Sequence, residues 1–96
     1  MLTRQTLREK REAILEIARR YGASDVRIFG SVARGDSDEN SDLDLVVRLD
    51  RGRTLLDQGG LLMELREFLQ MKVDVVTEGA LTGRFGEVVR GEAVPL

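Results

Sequence analysis

Asp42, Asp44 and Asp74 are the residues whose type and spacing speak most directly of chemistry. Asp42-Leu43-Asp44-Leu45-Val46-Val47 reads as a β-strand, being apolar, β-branched and preceded by Gly, Asp, Asn and Ser. Side chains two apart in a strand point the same way, with Cα atoms roughly 6.5 to 7 Å apart, so Asp42 and Asp44 share a face and can converge on a hard cation. Leu43 and Leu45 then point into a core. Upstream, Gly30-Ser31 follows a second strand-like run, Val26 to Phe29. Gly30 has no Cβ to block a phosphate, and the backbone N–H groups after it, with the Ser31 hydroxyl, can donate to phosphate oxygens at the start of a short helix.

Composition narrows the chemistry further. The 96 residues contain no cysteine and no histidine, which removes disulfides, thiolate metal sites and the commonest general base. Reaction must run on carboxylates. A net charge of −2 does not suggest nonspecific binding to nucleic acid, and we expect no direct nucleic acid partner. No apolar run approaches the roughly 20 residues of a membrane span and there is no signal-peptide core, so the expected location is cytoplasmic, with no membrane partner. The length predicts one small domain, residues 1–96, too small to wall off a deep pocket alone and suited to a cleft shared with a partner.

The elements that must position these residues follow in order. Leu2 to Tyr21 reads as an amphipathic helix, with Thr6 and Glu9 as a capping box, a stripe of Leu7, Ile14, Ile17, Ala18 and Tyr21, and Gly22 as its stop. A strand at about 25–29 exits through the Gly-Ser turn, and residues 34–41 are a solvated loop in which Arg34 neighbours either a phosphate or a loop carboxylate. After the Asp42 strand and a turn at 50–53, Leu55, Leu62, Leu65, Phe68 and Leu69 mark a second helix over about 54–70. Gly59-Gly60 either precede its true start or allow close packing. Val73-Asp74-Val75-Val76 is a third strand, and Leu81, Phe85, Val88 and Val89 fall at helical spacing, read chiefly as a core stripe and otherwise as a partner-binding face.

Topology brings the carboxylates together. A helical crossover makes the second and third strands parallel neighbours, and Asp44 and Asp74, each third in its strand, then lie side by side about 4.8 Å apart. The short connection from the first strand to the second requires an antiparallel pair, which returns Gly30-Ser31 to the same edge. The prediction is an α/β chain with a mixed sheet of three to four strands and helices packed on it. Three close carboxylates repel unless a cation joins them, and Mg²⁺ takes oxygen ligands while bridging carboxylates to phosphates. The chemistry implied is nucleotidyl transfer with two Mg²⁺ ions about 3.5 to 4 Å apart, held by Asp42 and Asp44, with Asp74 as a further ligand and proton acceptor.

Gly30-Ser31, ten residues, Asp42-Leu43-Asp44 and then Asp74 about thirty residues on resembles the pattern of the nucleotidyltransferase fold shared with DNA polymerase beta. The wording of residues 30–36 and 41–44, and the shortness of the chain, resemble its minimal nucleotidyltransferase branch, over nearly the whole length through Glu92-Ala93-Val94-Pro95-Leu96. The resemblance implies an antitoxin that pairs with a helical HEPN-type toxin and transfers AMP from ATP to a tyrosine of that partner. It makes Asp42, Asp44 and Asp74 the catalytic and metal residues, and Gly30, Ser31 and Arg34 the nucleotide-binding ones. The competing expectation is a binding module that neutralises its partner by contact alone; a purely steric inhibitor, however, has no use for three clustered carboxylates. Homo-oligomeric and hetero-oligomeric assembly are both open on the sequence.

Overall fold

The computed structural model describes residues 2–96. Its elements run α1 (Arg4–Arg20), β1 (Ala23–Phe29), α2 (Gly30–Arg34), β2 (Leu43–Leu49), α3 (Leu55–Leu69), β3 (Val73–Thr77), a single 3₁₀ turn (Glu78–Ala80), α4 (Gly83–Glu92) and β4 (Val94–Pro95). The sheet order is β3-β2-β1-β4. β1 and β2 are antiparallel, β2 and β3 parallel across the α3 crossover, and β4 adds antiparallel to β1. The mixed α/β sheet expected from the connection lengths is therefore present, with four strands.

Strand alternation divides the protein into two faces. Leu43, Leu45 and Val47 of β2 join Ile28, Val73 and Val75 in the main core, which Leu7, Ile14, Ile17 and Ala18 of α1 and Leu61 and Leu65 of α3 complete. Val46 turns the other way and packs with Leu81 and Val89, beneath Phe29, Val76 and Ala93. Asp44, two residues before Val46, belongs to this second face, where α4 leaves the sheet only partly covered.

The helix ends follow local chemistry. Thr3, not Thr6, caps α1, accepting from Thr6 N–H at 3.1 Å. The capping box placed on Thr6 and Glu9 is thus incorrect, because the helix begins one turn earlier and both residues lie inside it. A capping box does open α3: Thr54 accepts from Leu56 N–H at 3.2 Å, and Asp57 accepts from Thr54 N–H at 2.9 Å. α3 runs unbroken through Gly59-Gly60, and Gly60 supplies close packing, since a Cβ there would lie 2.5 Å from the Tyr21 ring.

Two apolar stripes differ from expectation. In α3 the buried residues are Leu61 and Leu65, while Leu55 is 81% exposed and Phe68 39%. Leu55 is the first residue after the cap, before the stripe that meets the sheet. In α4, Val89 is buried together with Gly86, while Phe85 and Val88 remain half exposed. This ten-residue helix turns only a narrow face to the sheet.

The free side of β3 is closed by side chains of α3. Gln58 donates to the Val75 carbonyl at 2.9 Å and Arg66 Nε to the Val73 carbonyl at 3.0 Å.

Candidate active site

The first turn of α2 follows β1 without a break. Gly30 adopts φ +75°, the left-handed region in which glycine carries no Cβ penalty. Its second role is spatial: a Cβ at this position would run into Asp44 Oδ2 and lie 3.2 Å from Asp44 Cγ. The register explains the proximity, because Phe29, the last residue of β1, pairs with Asp44 of β2. Ser31 stands half-buried in the same turn, and its carbonyl accepts from Gly35 N–H and Asp36 N–H, both at 3.0 Å, as α2 closes on the left-handed Gly35.

Asp44 is paired with Asp74 across the parallel β2–β3 ladder. The side-by-side placement predicted from strand positions is therefore found. Asp42 lies just before β2, two residues ahead of Asp44. Its Oδ2 is 3.6 Å from Lys72 Nζ, and Asp74 Oδ1 is 3.6 Å from Arg66 Nη2. Asp44, by contrast, makes no ion pair among the described residues. Burial first, then the charges of Asp74 and Asp42, pushes the Asp44 carboxyl above the ordinary carboxylate range, while Arg34 acts in the opposite direction.

This electrostatic arrangement is a test of cation fit. Three oxygen-only donors crowd one sheet edge, Asp44 resists ionisation, and the outer two already draw on Lys72 and Arg66. Such a donor set suits a hard divalent cation. The carboxylates do not form a closed cage: among the described residues no three acidic groups stand ready to enclose an ion without rearrangement. Asp42 and Asp74 would have to exchange their lysine and arginine neighbours for it.

Arg34 donates from Nε to Asp36 Oδ2 at 3.1 Å and from Nη1 to Glu92 Oε1 at 2.9 Å. Asp36 and then Glu92 raise its already high pKa. The loop-carboxylate reading of Arg34 is thus realised, and its charge also reaches Asp44.

Three neighbours were not singled out from the sequence. Lys72 is one of only two lysines and stands directly before β3. Arg66 falls in the last turn of α3, where a cation also suits the helix dipole. Glu92, whose Oε2 accepts from Gly30 N–H at 2.9 Å, ends α4. An acid at a helix C-terminus opposes the dipole, and that anomaly was its signal.

A concavity of about 460 Å³ opens on the opposite face, between the start of α1, the loop at 37–42 and the turn before β3, with Asp42 and Lys72 on its rim. The carboxylate face itself is open. No helix among the described residues is long and apolar enough to cross a membrane.

Comparison with known proteins agrees with this geometry. The family described as Nucleotidyltransferase domain matches residues 10–93. A candidate protein adenylyltransferase of Methanocaldococcus jannaschii is 35% identical over 88 residues, spanning 92% of this chain and 95% of that protein. The protein adenylyltransferase MntA of Thermococcus cleftensis is 32% identical over 83 residues, spanning 82% of this chain and 80% of MntA. A solved structure of a candidate minimal nucleotidyltransferase is similar at 49% identity and a TM-score of 0.87, covering 99% of this chain and 97% of that one. A crystal structure of a toxin–antitoxin with AMP-PNP shares the fold at 21% identity and a TM-score of 0.75, covering 88% of this chain and 69% of that one.

Proposed function

The chain belongs to the nucleotidyltransferase family, in its minimal branch of protein adenylyltransferases, and from that premise we propose that it transfers AMP from ATP to a tyrosine hydroxyl of a HEPN-type toxin, as that toxin's antitoxin. The observation that carries the reading is the pairing of Asp44 with Asp74 in register, beside a left-handed Gly30 packed on the Asp44 carboxylate. The relative solved as a toxin–antitoxin with AMP-PNP supports a nucleotide and a protein partner.

Asp42, Asp44 and Asp74 would hold divalent metal, two Mg²⁺ ions in this reading. When bound, the metal supplies charge neutralisation for the phosphates and for the attacking and leaving oxygens. Gly30 and Ser31 receive the β- and γ-phosphates, with Arg34 beside them. The acceptor oxygen attacks the α-phosphorus, the bond from the α-phosphorus to the bridging oxygen of the β-phosphate breaks, and pyrophosphate leaves. Asp74, whose side chain is 47% exposed, is open to an incoming hydroxyl and takes its proton. The open carboxylate face suits a folded protein acceptor, because the partner itself supplies the missing wall.

The test is the intact mass of the partner encoded by the adjacent reading frame after incubation with this chain, Mg²⁺ and each nucleoside triphosphate. The expected result is a gain of one or more AMP units, abolished by Asp74→Asn or by removal of the metal. Neutralisation of the partner without any mass gain would replace transfer by stoichiometric binding.

A further inference from the structure

Glu92 joins two parts of the site that are far apart in sequence. One carboxylate oxygen accepts from Gly30 N–H and the other from Arg34 Nη1, both at 2.9 Å. The position is unfavourable for an acid on local grounds, since Glu92 is the last residue of α4 and faces the negative end of its dipole. Its two contacts offset that cost, and its side chain is only 23% exposed.

The consequence for Arg34 is orientation. Asp36 holds Nε and Glu92 holds Nη1, so the planar guanidinium is gripped from two directions. Nη2 is the guanidinium nitrogen that makes no hydrogen bond among the described residues. Its two N–H groups, with the second N–H of Nη1, are left for a ligand oxygen. The same carboxylate pins the backbone at the start of the Gly30-Ser31 turn, so a single side chain of α4 sets both the turn and the arginine beside it.

We infer that Glu92 is a positioning residue for nucleotide binding, tying α4 to the Gly-Ser turn and presenting Arg34 to the triphosphate; the inference rests on the nucleotidyl-transfer reading above. Glutamine is the discriminating replacement. It keeps the shape but offers one acceptor oxygen in place of two, so either Gly30 N–H or Arg34 meets an NH₂ donor. Aspartate keeps both acceptors on a shorter stem and serves as the conservative variant.

The experiment measures ATP binding to the full chain by calorimetry in the presence of Mg²⁺, for the unsubstituted protein and for E92Q, E92D, R34A and E92Q/R34A, with thermal unfolding of each protein without nucleotide. We expect E92Q to raise the ATP dissociation constant about tenfold, the loss typical of one charge-assisted hydrogen bond. E92D should recover part of that loss. The loss in the double variant should fall short of the sum of the single losses, because Glu92 works in part through Arg34.

If E92Q lowers the unfolding temperature while its dissociation constant stays at the unsubstituted value, Glu92 only braces the fold and the inference is overturned. Tighter ATP binding by E92Q would make the carboxylate a competitor of phosphate and would equally overturn it. Should E92Q not fold, E92D decides, since normal ATP affinity there would also refute the assignment. An unsubstituted chain that binds no ATP would overturn the transfer reading and the inference with it, whereas normal binding that ignores Glu92 would leave the transfer reading standing.

Discussion

The Asp44 carboxylate fills the space that a side chain at Gly30 would occupy. The Gly-Ser turn and the carboxylate therefore form one packed unit, and neither can move without the other. Gly30→Ala should cost the ~1–2 kcal/mol of a left-handed alanine and displace Asp44 as well. Transfer should fall by about 10²-fold, the scale of a 1 Å misplacement at a reacting centre. Gly35→Ala is the control, because Gly35 is also left-handed, at φ +83°, but a Cβ there meets nothing within 4 Å. It should lose comparable stability in urea unfolding and keep most of the activity.

Burial and the neighbouring charges of Asp74 and Asp42 disfavour ionisation of Asp44, and replacing it should relieve that cost. Its folded pKa is raised, so its unfavourable contribution is absent below the unfolded value, grows as pH rises, and is complete above the folded value. Asp44→Asn should therefore unfold at a higher temperature than the unsubstituted chain at pH 7, as read from thermal melts of the two proteins. The gap should close in acid. Mg²⁺ should raise the melting temperature of the unsubstituted chain and leave the variant unmoved, since a ligand stabilises only the state that binds it.

Asp57 behaves oppositely. The Thr54 N–H first, and Arg53 next, hold its carboxyl below the ordinary range. Its stabilisation is present above the unfolded pKa and lost as pH falls through the folded one. Asp57→Asn should lower the melting temperature at neutral pH, with the difference shrinking in strong acid. Thr54→Ala, which removes the other half of the box, should cost about 1 kcal/mol by chemical denaturation.

The adjacent glycines of α3 should separate cleanly. A Cβ at Gly59 meets nothing within 4 Å, whereas one at Gly60 lies 2.5 Å from the Tyr21 ring. Gly59→Ala should stabilise the chain by up to ~1 kcal/mol through helix propensity. Gly60→Ala should destabilise it by ~1–3 kcal/mol through overpacking against Tyr21. Equal effects from the two in guanidinium unfolding would contradict this account of α3.

The parts of the site that the sequence made legible are those governed by strand arithmetic. Period-two alternation placed Leu43 and Leu45 in the core, and equal positions in two parallel strands placed Asp44 beside Asp74. Glu92 escaped because its meaning lies in contacts 58 and 62 residues away, and local pattern carries no record of them. Lys72 and Arg66 escaped for a related reason: a charged residue before a strand or in the last turn of a helix reads as solvated until the fold sets it against Asp42 or Asp74. Helix boundaries suffered from competing caps, as with Thr3 and Thr6, two threonines each able to start a turn. Apolar stripes were over-read, because Leu55 and Val88 match the helical period yet stay exposed, and Phe85 packs edge-on against Phe29 while remaining half exposed.

The side-chain bonds from Gln58 and Arg66 to β3 restrict how this protein can assemble. A visiting strand joining the sheet at that border would have to displace both from the Val75 and Val73 carbonyls. At the other border, β4 is two residues long and contains Pro95, which has no N–H to give. Neither border is a template for strand exchange or fibrous growth. Association with the proposed protein partner or with a second copy would then fall to side-chain surfaces, so a docked partner could be released with the sheet intact.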